Sequence, residues 1–282
     1  VSSGGELYTV LAADIDPKYI YFHGNNKSQS ELELAIEKQV TIIVDNDHEL
    51  RLIQTLIQGR SLSQPLRLMV RMKPEIEAHT HDYIKTGQLD SKFGIHKDDL
   101  LPIVQSIHSH EQLQFVGIHS HIGSQIFDTT PYETLIDILM ETVLMLHRHD
   151  IPVHELNIGG GVGVQYTDTD TPPDMTTFIT RISQLVQQQF KANTLPLPTL
   201  LFEPGRSIIA TAGITVYTIG AIKAIKDLKT YLFVDGGMAD NPRPMMYQSK
   251  HIFELATQSH KPAVSYSIAG KFCESGDILA ED

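Results

Sequence analysis

Leu200-Leu-Phe-Glu-Pro-Gly-Arg206 is an apolar run that delivers a carboxylate and a guanidinium into a Pro-Gly turn. Pro204 has no N–H with which to continue a ladder, and Gly205 lets the backbone turn sharply. Such a segment puts Glu203 and Arg206 at the carboxyl end of a buried strand. Three other stretches have the same form: Ile118-His-Ser-His-Ile-Gly-Ser124, Asn157-Ile-Gly-Gly-Gly-Val-Gly163 and Phe233-Val-Asp-Gly-Gly-Met238. Strands that carry their chemistry at the same end describe a barrel.

Working outward, short apolar strands near Tyr21, Ile42, Leu68, Val116, Leu156 and Phe202 alternate with helical patterns. Ser28 with Glu31 three residues on is a capping box, and Leu32, Ala35 and Ile36 give the helix behind it an apolar face. Alternation of this kind signals a parallel sheet covered by helices. The expectation is an α/β fold, a TIM-type (β/α)8 barrel lacking about its first one and a half strands. After Arg206 the pattern changes. Gly213 to Lys223 and Lys229 to Asp235 read as strands with no helix between them, so a β-rich module is expected over 213–282, after a barrel over 1–212. Val1-Ser-Ser-Gly-Gly-Glu6 reads as a strand end running into a helix, as though cut from a longer protein. An open barrel would expose a strand edge and part of its core, and poor solubility is expected.

The 282 residues are 41% hydrophobic, enough for a large core. A net charge of −12 with no offsetting basic cluster argues against a nucleic-acid partner. Cys273 is the single cysteine, which excludes an internal disulfide and fits a reducing, cytoplasmic compartment. The most apolar helix, Thr134 to Leu146, carries Asp137 and Glu141 and is too short to span a bilayer, so no membrane partner is expected. Asn26-Lys-Ser28 matches a glycosylation sequon, read here as coincidence.

Several motifs admit more than one reading. Gly159-Gly-Gly-Val-Gly163 is not a dinucleotide fingerprint, because no helix opens at its last glycine. It is either a tight turn or a nest of backbone N–H groups suited to a phosphate. Among four His-x-His pairs, His119 and His121 sit at a strand end. With Asp235 they form a candidate metal site of the barrel-hydrolase kind, in which the glycines and Glu-Pro-Gly-Arg would have no role. The long polar loop from Glu75 to Phe93 holds His79, His81 and Lys85. Asn241-Pro-Arg-Pro-Met-Met-Tyr247 fixes an arginine between prolines, which suits either carboxylate recognition or a surface turn.

Together, Ser3-Gly-Gly-Glu6, His23-Gly-Asn25, His119-Ser-His-Ile-Gly-Ser-Gln125, the triple glycine, Glu203-Pro-Gly-Arg206, Val234-Asp-Gly-Gly-Met238, Arg243-Pro244 with Tyr247, and Cys273-Glu-Ser-Gly-Asp277 resemble the diaminopimelate decarboxylases. The glycines and Glu-Pro-Gly-Arg are shared with ornithine and arginine decarboxylases of the same fold. Gly87-Gln-Leu-Asp-Ser-Lys-Phe-Gly94, the Arg-Pro with its tyrosine, and Cys-Glu-Ser-Gly-Asp are more specific.

The resemblance implies a pyridoxal 5′-phosphate enzyme that decarboxylates meso-2,6-diaminopimelate to L-lysine. It implies that Glu203 holds the proton on the cofactor's ring nitrogen and that His121 stacks on the ring, with His119 in support. Ser124, Gly160, Gly161 and the Glu203-Pro204-Gly205-Arg206 turn would hold the phosphate. Arg206, Arg243 and Tyr247 would grip the substrate's far carboxylate, Glu274 would pair with its far ammonium group, and Cys273 would return a proton to Cα. In that family the Cys and Glu come from a partner subunit, so a homodimer is implied. The family's Schiff-base lysine lies in a Tyr-Ala-x-Lys-Ala-like segment that this sequence lacks, and Lys27 matches a different position. The family's later tyrosine also has no counterpart, and the chain by itself is expected to be inactive. The alternatives are a same-fold decarboxylase of another basic amino acid or carboxyamine, against which Arg243 argues, and a non-catalytic homologue.

Overall fold

The computed structural model describes residues 1–76, 92–257, 260–262 and 264–281. His79, His81, Lys85 and the 87–91 part of the specific motif lie outside them. The chain forms two compact units, Val1–Gly163 with Pro173–Gly205, and Val164–Pro172 with Arg206–Asp282.

In the first unit, helices and strands alternate: α1 (Gly4–Ala12), β1 (Tyr21–Phe22), α2 (Gln29–Lys38), β2 (Thr41–Val44), α3 (Asp47–Ile57), β3 (Leu66–Arg71), α4 (Lys97–His108), β4 (Leu113–His119), α5 (Thr130–His147), β5 (Glu155–Asn157), α6 (Met175–Ala192) and β6 (Thr199–Leu201). The helices start where the capping chemistry says they should. Ser28 and Glu31 close a capping box at α2, and the Asp174 carboxylate accepts the Thr177 N–H at the start of α6. Their apolar faces are buried, Leu32, Ala35 and Ile36 in α2 and Phe178, Ile182, Val186 and Phe190 in α6.

The six strands pair in parallel in the order β1-β2-β3-β4-β5-β6. Consecutive order without a reversal is the winding of a barrel; a doubly wound sheet would reverse direction partway. The sheet is curled. Tyr21 Oη on β1 donates to Glu155 Oε2 on β5 at 2.9 Å, across three intervening strands, and Arg67 on β3 pairs with the same carboxylate. Residues on the concave face, Ile43, Met69 and Val116, bury each other with Tyr21 and Leu201 against them. The convex face supplies Ile42, Leu68, Val70, Phe115, Ile118 and Leu156 to the larger core beneath the helices.

Strand β4 carries a bulge. Leu68 partners Phe115, but the next residue, Met69, partners Gly117. The extra residue restarts the alternation, so Phe115 and Ile118 both face the helices although three positions apart. Gly117 is required here, because a Cβ would overlap the Glu155 carbonyl oxygen.

The second unit contains α7 (Arg206–Ile209), β7 (Ile219–Ile225), β8 (Lys229–Val234), α8 (Arg243–Tyr247), β9 (Ser267–Ala269) and β10 (Ile278–Ala280). Its sheet runs β10-β9-β8-β7, with a β7–β8 hairpin and a parallel β8–β9 pair. Two expectations change. Gly213 to Thr218 is not strand, and Arg243 opens a one-turn helix after Pro242 where a rigid turn was expected. Strands β9 and β10 are too short to have shown a period-two pattern. No helix among the described residues is long and apolar enough to cross a membrane.

Candidate active site

Each strand of the first unit sends one polar side chain to the concave face at or just past its carboxyl end. These are His23 (β1), Asp45 (β2), Arg71 (β3), His119 (β4), Asn157 (β5) and Glu203 (β6). Alternation along a strand sets this: His23 follows Tyr21 by two, Asp45 follows Ile43 by two, Arg71 follows Met69 by two and Glu203 follows Leu201 by two. The β4 bulge brings His119 to the same side.

Glu203 is the centre of this rim. Its Oε1 lies 2.7 Å from His23 Nε2 and accepts the Asn157 amide N–H at 2.8 Å; its Oε2 lies 3.4 Å from His119 Nε2. The rings of His23 and His119 meet edge to face with centroids 4.8 Å apart. Burial works to raise the Glu203 pKa, but its interactions with His119 and His23 outweigh that and hold the carboxyl far below its usual range. His119 is 1% exposed, and burial pushes its pKa down to about 4. The site at neutral pH is therefore a carboxylate beside a neutral imidazole. With Glu203 still 32% exposed, the anion faces an opening.

The other half of the rim is an ionic cluster. Arg71 lies 3.6 Å from Asp45 and packs its guanidinium 4.4 Å from the Phe93 ring centroid. Asp45 also accepts the Gly94 N–H. Lys27 Nζ donates to Glu49 at 2.6 Å, to the Ile43 carbonyl at 2.8 Å and to the Gly24 carbonyl at 2.9 Å. These three bonds use every ammonium proton, and they pin the loop that follows His23. Burial draws Lys27 below and Glu49 above their ordinary values.

The triple glycine packs against Glu203. Gly159 accepts the Glu203 N–H at 2.9 Å, and a Cβ on Gly160 would overlap the Glu203 carbonyl oxygen. His121 lies two residues past β4, and its Nδ1 accepts the Gly160 N–H at 3.3 Å. Tyr132 Oη donates to the Gly160 carbonyl from α5. Ser124 is exposed in the same loop.

In the second unit, Arg243 lies 5.2 Å from the Tyr247 ring centroid and 5.9 Å from that of Tyr166. Burial, then the charge of Arg206, lowers the Arg243 pKa. Arg243 Nε and one terminal nitrogen of Arg206 are buried without a hydrogen-bond partner, and neither residue is in an ion pair among the described residues. Two guanidiniums that feel each other and have no carboxylate make an anion site. Cys273 is exposed, and Glu274 accepts from Ser275 Oγ and the Gly276 N–H. Asp277 organises this loop by accepting the Met238 and Phe272 N–H groups.

The metal group anticipated from His119, His121 and Asp235 is not the one the fold assembles. Among the described residues, the His/Cys/Asp/Glu group with converging ligand atoms is His23, His119 and Glu203. His121 is spent on the glycine turn, and the Asp235 carboxylate accepts the Thr218 N–H within its own unit. His23, Asn157, Arg71 and Asp45 were given no role from sequence. Each is a polar residue ending an apolar run, which was the signal available.

This rim, with a glycine turn seated against a partly exposed carboxylate, lies at the carboxyl end of a barrel-type parallel sheet. Residues 1–210 match the family model described as the pyridoxal-binding domain of pyridoxal-dependent decarboxylases, and the chain belongs to that family. Along its whole length it is similar to diaminopimelate decarboxylases. It is 42% identical to that of Synechocystis sp. and 40% to that of Bacillus subtilis, covering 62% and 65% of those proteins. The crystal structure of the Helicobacter pylori enzyme complexed with L-lysine superposes with a TM-score of 0.87 at 30% identity, over the full chain and 68% of that structure. For the M. jannaschii enzyme the TM-score is 0.90 at 30% identity, over the full chain and 64% of that structure. The chain thus spans less than two thirds of the curated relatives it matches.

The residues present fit pyridoxal phosphate. Glu203 is an anion with one face open, as a protonated ring nitrogen requires.

Proposed function

We propose that the protein is a cytoplasmic pyridoxal-phosphate-dependent carboxy-lyase that converts meso-2,6-diaminopimelate to L-lysine and CO2. The observation that carries the reading is Glu203, a carboxylate held ionised at the barrel rim by His23, Asn157 and His119. The cofactor, when bound, supplies an electron sink for the bond that loses CO2. Glu203 would keep a proton on its ring nitrogen. His121 would lie against the ring, while Ser124, Gly160, Gly161 and the Pro204-Gly205-Arg206 turn would hold the phosphate. Arg206, Arg243 and Tyr247 take the substrate's far carboxylate, which is the role two unpaired guanidiniums favour. Glu274 takes the far ammonium group, and Cys273 delivers a proton to Cα. In a homodimer these two act on the second copy's site. Lys27 is not the amine that carries the cofactor, because its three protons are committed. The crystal structures of relatives with L-lysine support a lysine-shaped product.

The test is CO2 release from meso-diaminopimelate, with L-ornithine and L-lysine as competitors, by the chain joined to a segment carrying the Schiff-base lysine that its own sequence lacks. Diaminopimelate should be preferred by roughly a hundredfold or more, because the other two lack the second carboxylate that the arginines require. Glu203→Gln should lower kcat by about a hundredfold to a thousandfold, in line with loss of one preorganised electrostatic contact. Comparable turnover of ornithine, or a fully active Glu203→Gln variant, would overturn the assignment.

A further inference from the structure

The rim holds a donor set that suits a second kind of cation. His23 Nε2 and His119 Nε2 flank the two oxygens of Glu203 at 2.7 Å and 3.4 Å, and the three ligand atoms lie within 4.8 Å of one another. Two imidazoles and a carboxylate match the donors of zinc-class ions, whose bonds to nitrogen and oxygen run about 2.0–2.2 Å. They are a poor match for calcium or magnesium, which take mainly oxygen.

Three further features bear on binding. Both ring nitrogens of His119 are buried, Nδ1 without a hydrogen-bond partner and Nε2 with only the Glu203 carboxylate at 3.4 Å, an arrangement that leaves desolvation largely uncompensated. Ligation would satisfy one of them. The Asn157 amide donates to Glu203 Oε1 and so orients the carboxylate from behind, as outer-shell groups do in metal sites. His23 is 16% exposed and Glu203 32%, so a fourth position opens toward solvent where a water can sit.

We propose that His23, His119 and Glu203 form a binding site for a divalent zinc-class ion in the cofactor-free protein. The inference goes beyond the decarboxylase reading and rests on the same His23, His119 and Glu203 cluster. One carboxylate cannot neutralise a metal ion and a protonated ring nitrogen at full strength together. Metal and pyridoxal phosphate therefore compete, and the ion marks a form of the protein closed to cofactor.

The experiment is a Co2+ titration of the cofactor-free protein, read by visible absorption. Four-coordinate Co2+ absorbs strongly, whereas Co2+ on scattered surface histidines is six-coordinate and nearly colourless. A saturable four-coordinate band is expected, displaced by Zn2+. His23→Gln and Glu203→Ala should each weaken binding by roughly tenfold to a hundredfold or abolish the band. Both side chains are partly exposed, so these variants keep the test open if a substitution at buried His119 prevents folding; circular dichroism confirms their fold. The proposal is overturned if the wild-type protein gives no such band, or if both variants bind Co2+ as the wild type does. Added pyridoxal phosphate should bleach the band. A band that is lost in the variants but persists under saturating pyridoxal phosphate would leave the metal site standing and remove Glu203 from the ring nitrogen.

Discussion

At the scale of single residues, the molecule rests on a few charges placed where water is scarce. Lys27 and Glu49 are both buried and paired at 2.6 Å. Such a pair adds little net stability over an apolar substitute, but breaking it strands a charge. Lys27→Met should therefore destabilise the protein by about 3–5 kcal/mol, and Lys27→Met with Glu49→Leu should recover a good part of that loss. Denaturant unfolding of the two variants checks it; equal losses in both would show that the pair contributes on its own account. Glu203 was legible as a strand-end carboxylate before a proline-glycine turn. Its partners were not. A lone histidine after Tyr-Phe, or an asparagine before the glycines, carries no pattern of its own, and the pairing of His23 with Glu203, 180 residues apart, is set by the curl of the sheet.

At the scale of elements, capping chemistry gave the clearest signal. Glu31 accepts the Ser28 N–H and hydroxyl and also the Gly4 N–H, so one side chain starts α2 and ties down the start of α1. The backbone bond from Ser28 holds its pKa below the ordinary glutamate value. A carboxyl depressed in the folded state stabilises fully above its unfolded pKa and loses that contribution as pH falls through the folded value. The stability gap between wild type and Glu31→Gln should thus be constant near neutrality and close progressively on acidification below about pH 5. A gap that widened in acid would reverse the sign. Elements were hardest to read where they are short or irregular. Strands of three residues such as β9 and β10 show no periodicity. The bulge in β4 is invisible because Val116-Gly-Ile118 reads as one apolar run.

At the scale of the whole chain, strand–helix alternation was enough to give the parallel sheet and its singly wound order. The unit boundaries were less accessible. Val164–Pro172 belongs with the second unit although it lies between β5 and α6, and nothing in its composition separates it from an ordinary loop. The two units also differ in burial. Every residue of β2 is buried, whereas every residue of β7 is exposed. Hydrogen exchange should follow that contrast, with β2 to β4 amides exchanging only through global opening and β7 amides exchanging orders of magnitude faster. Uniform protection across both sheets would contradict it.

The extra residue in β4 has a consequence for how this protein can drift over generations. Point changes along that strand preserve which way each side chain looks. Gain of a single codon between Gly117 and Ile118 would not: Ile118 would move into the place of His119 beside the Glu203 carboxylate, and the imidazole would swing toward the helices. Descendants can vary the letters of this segment but cannot lengthen it beyond the bulge.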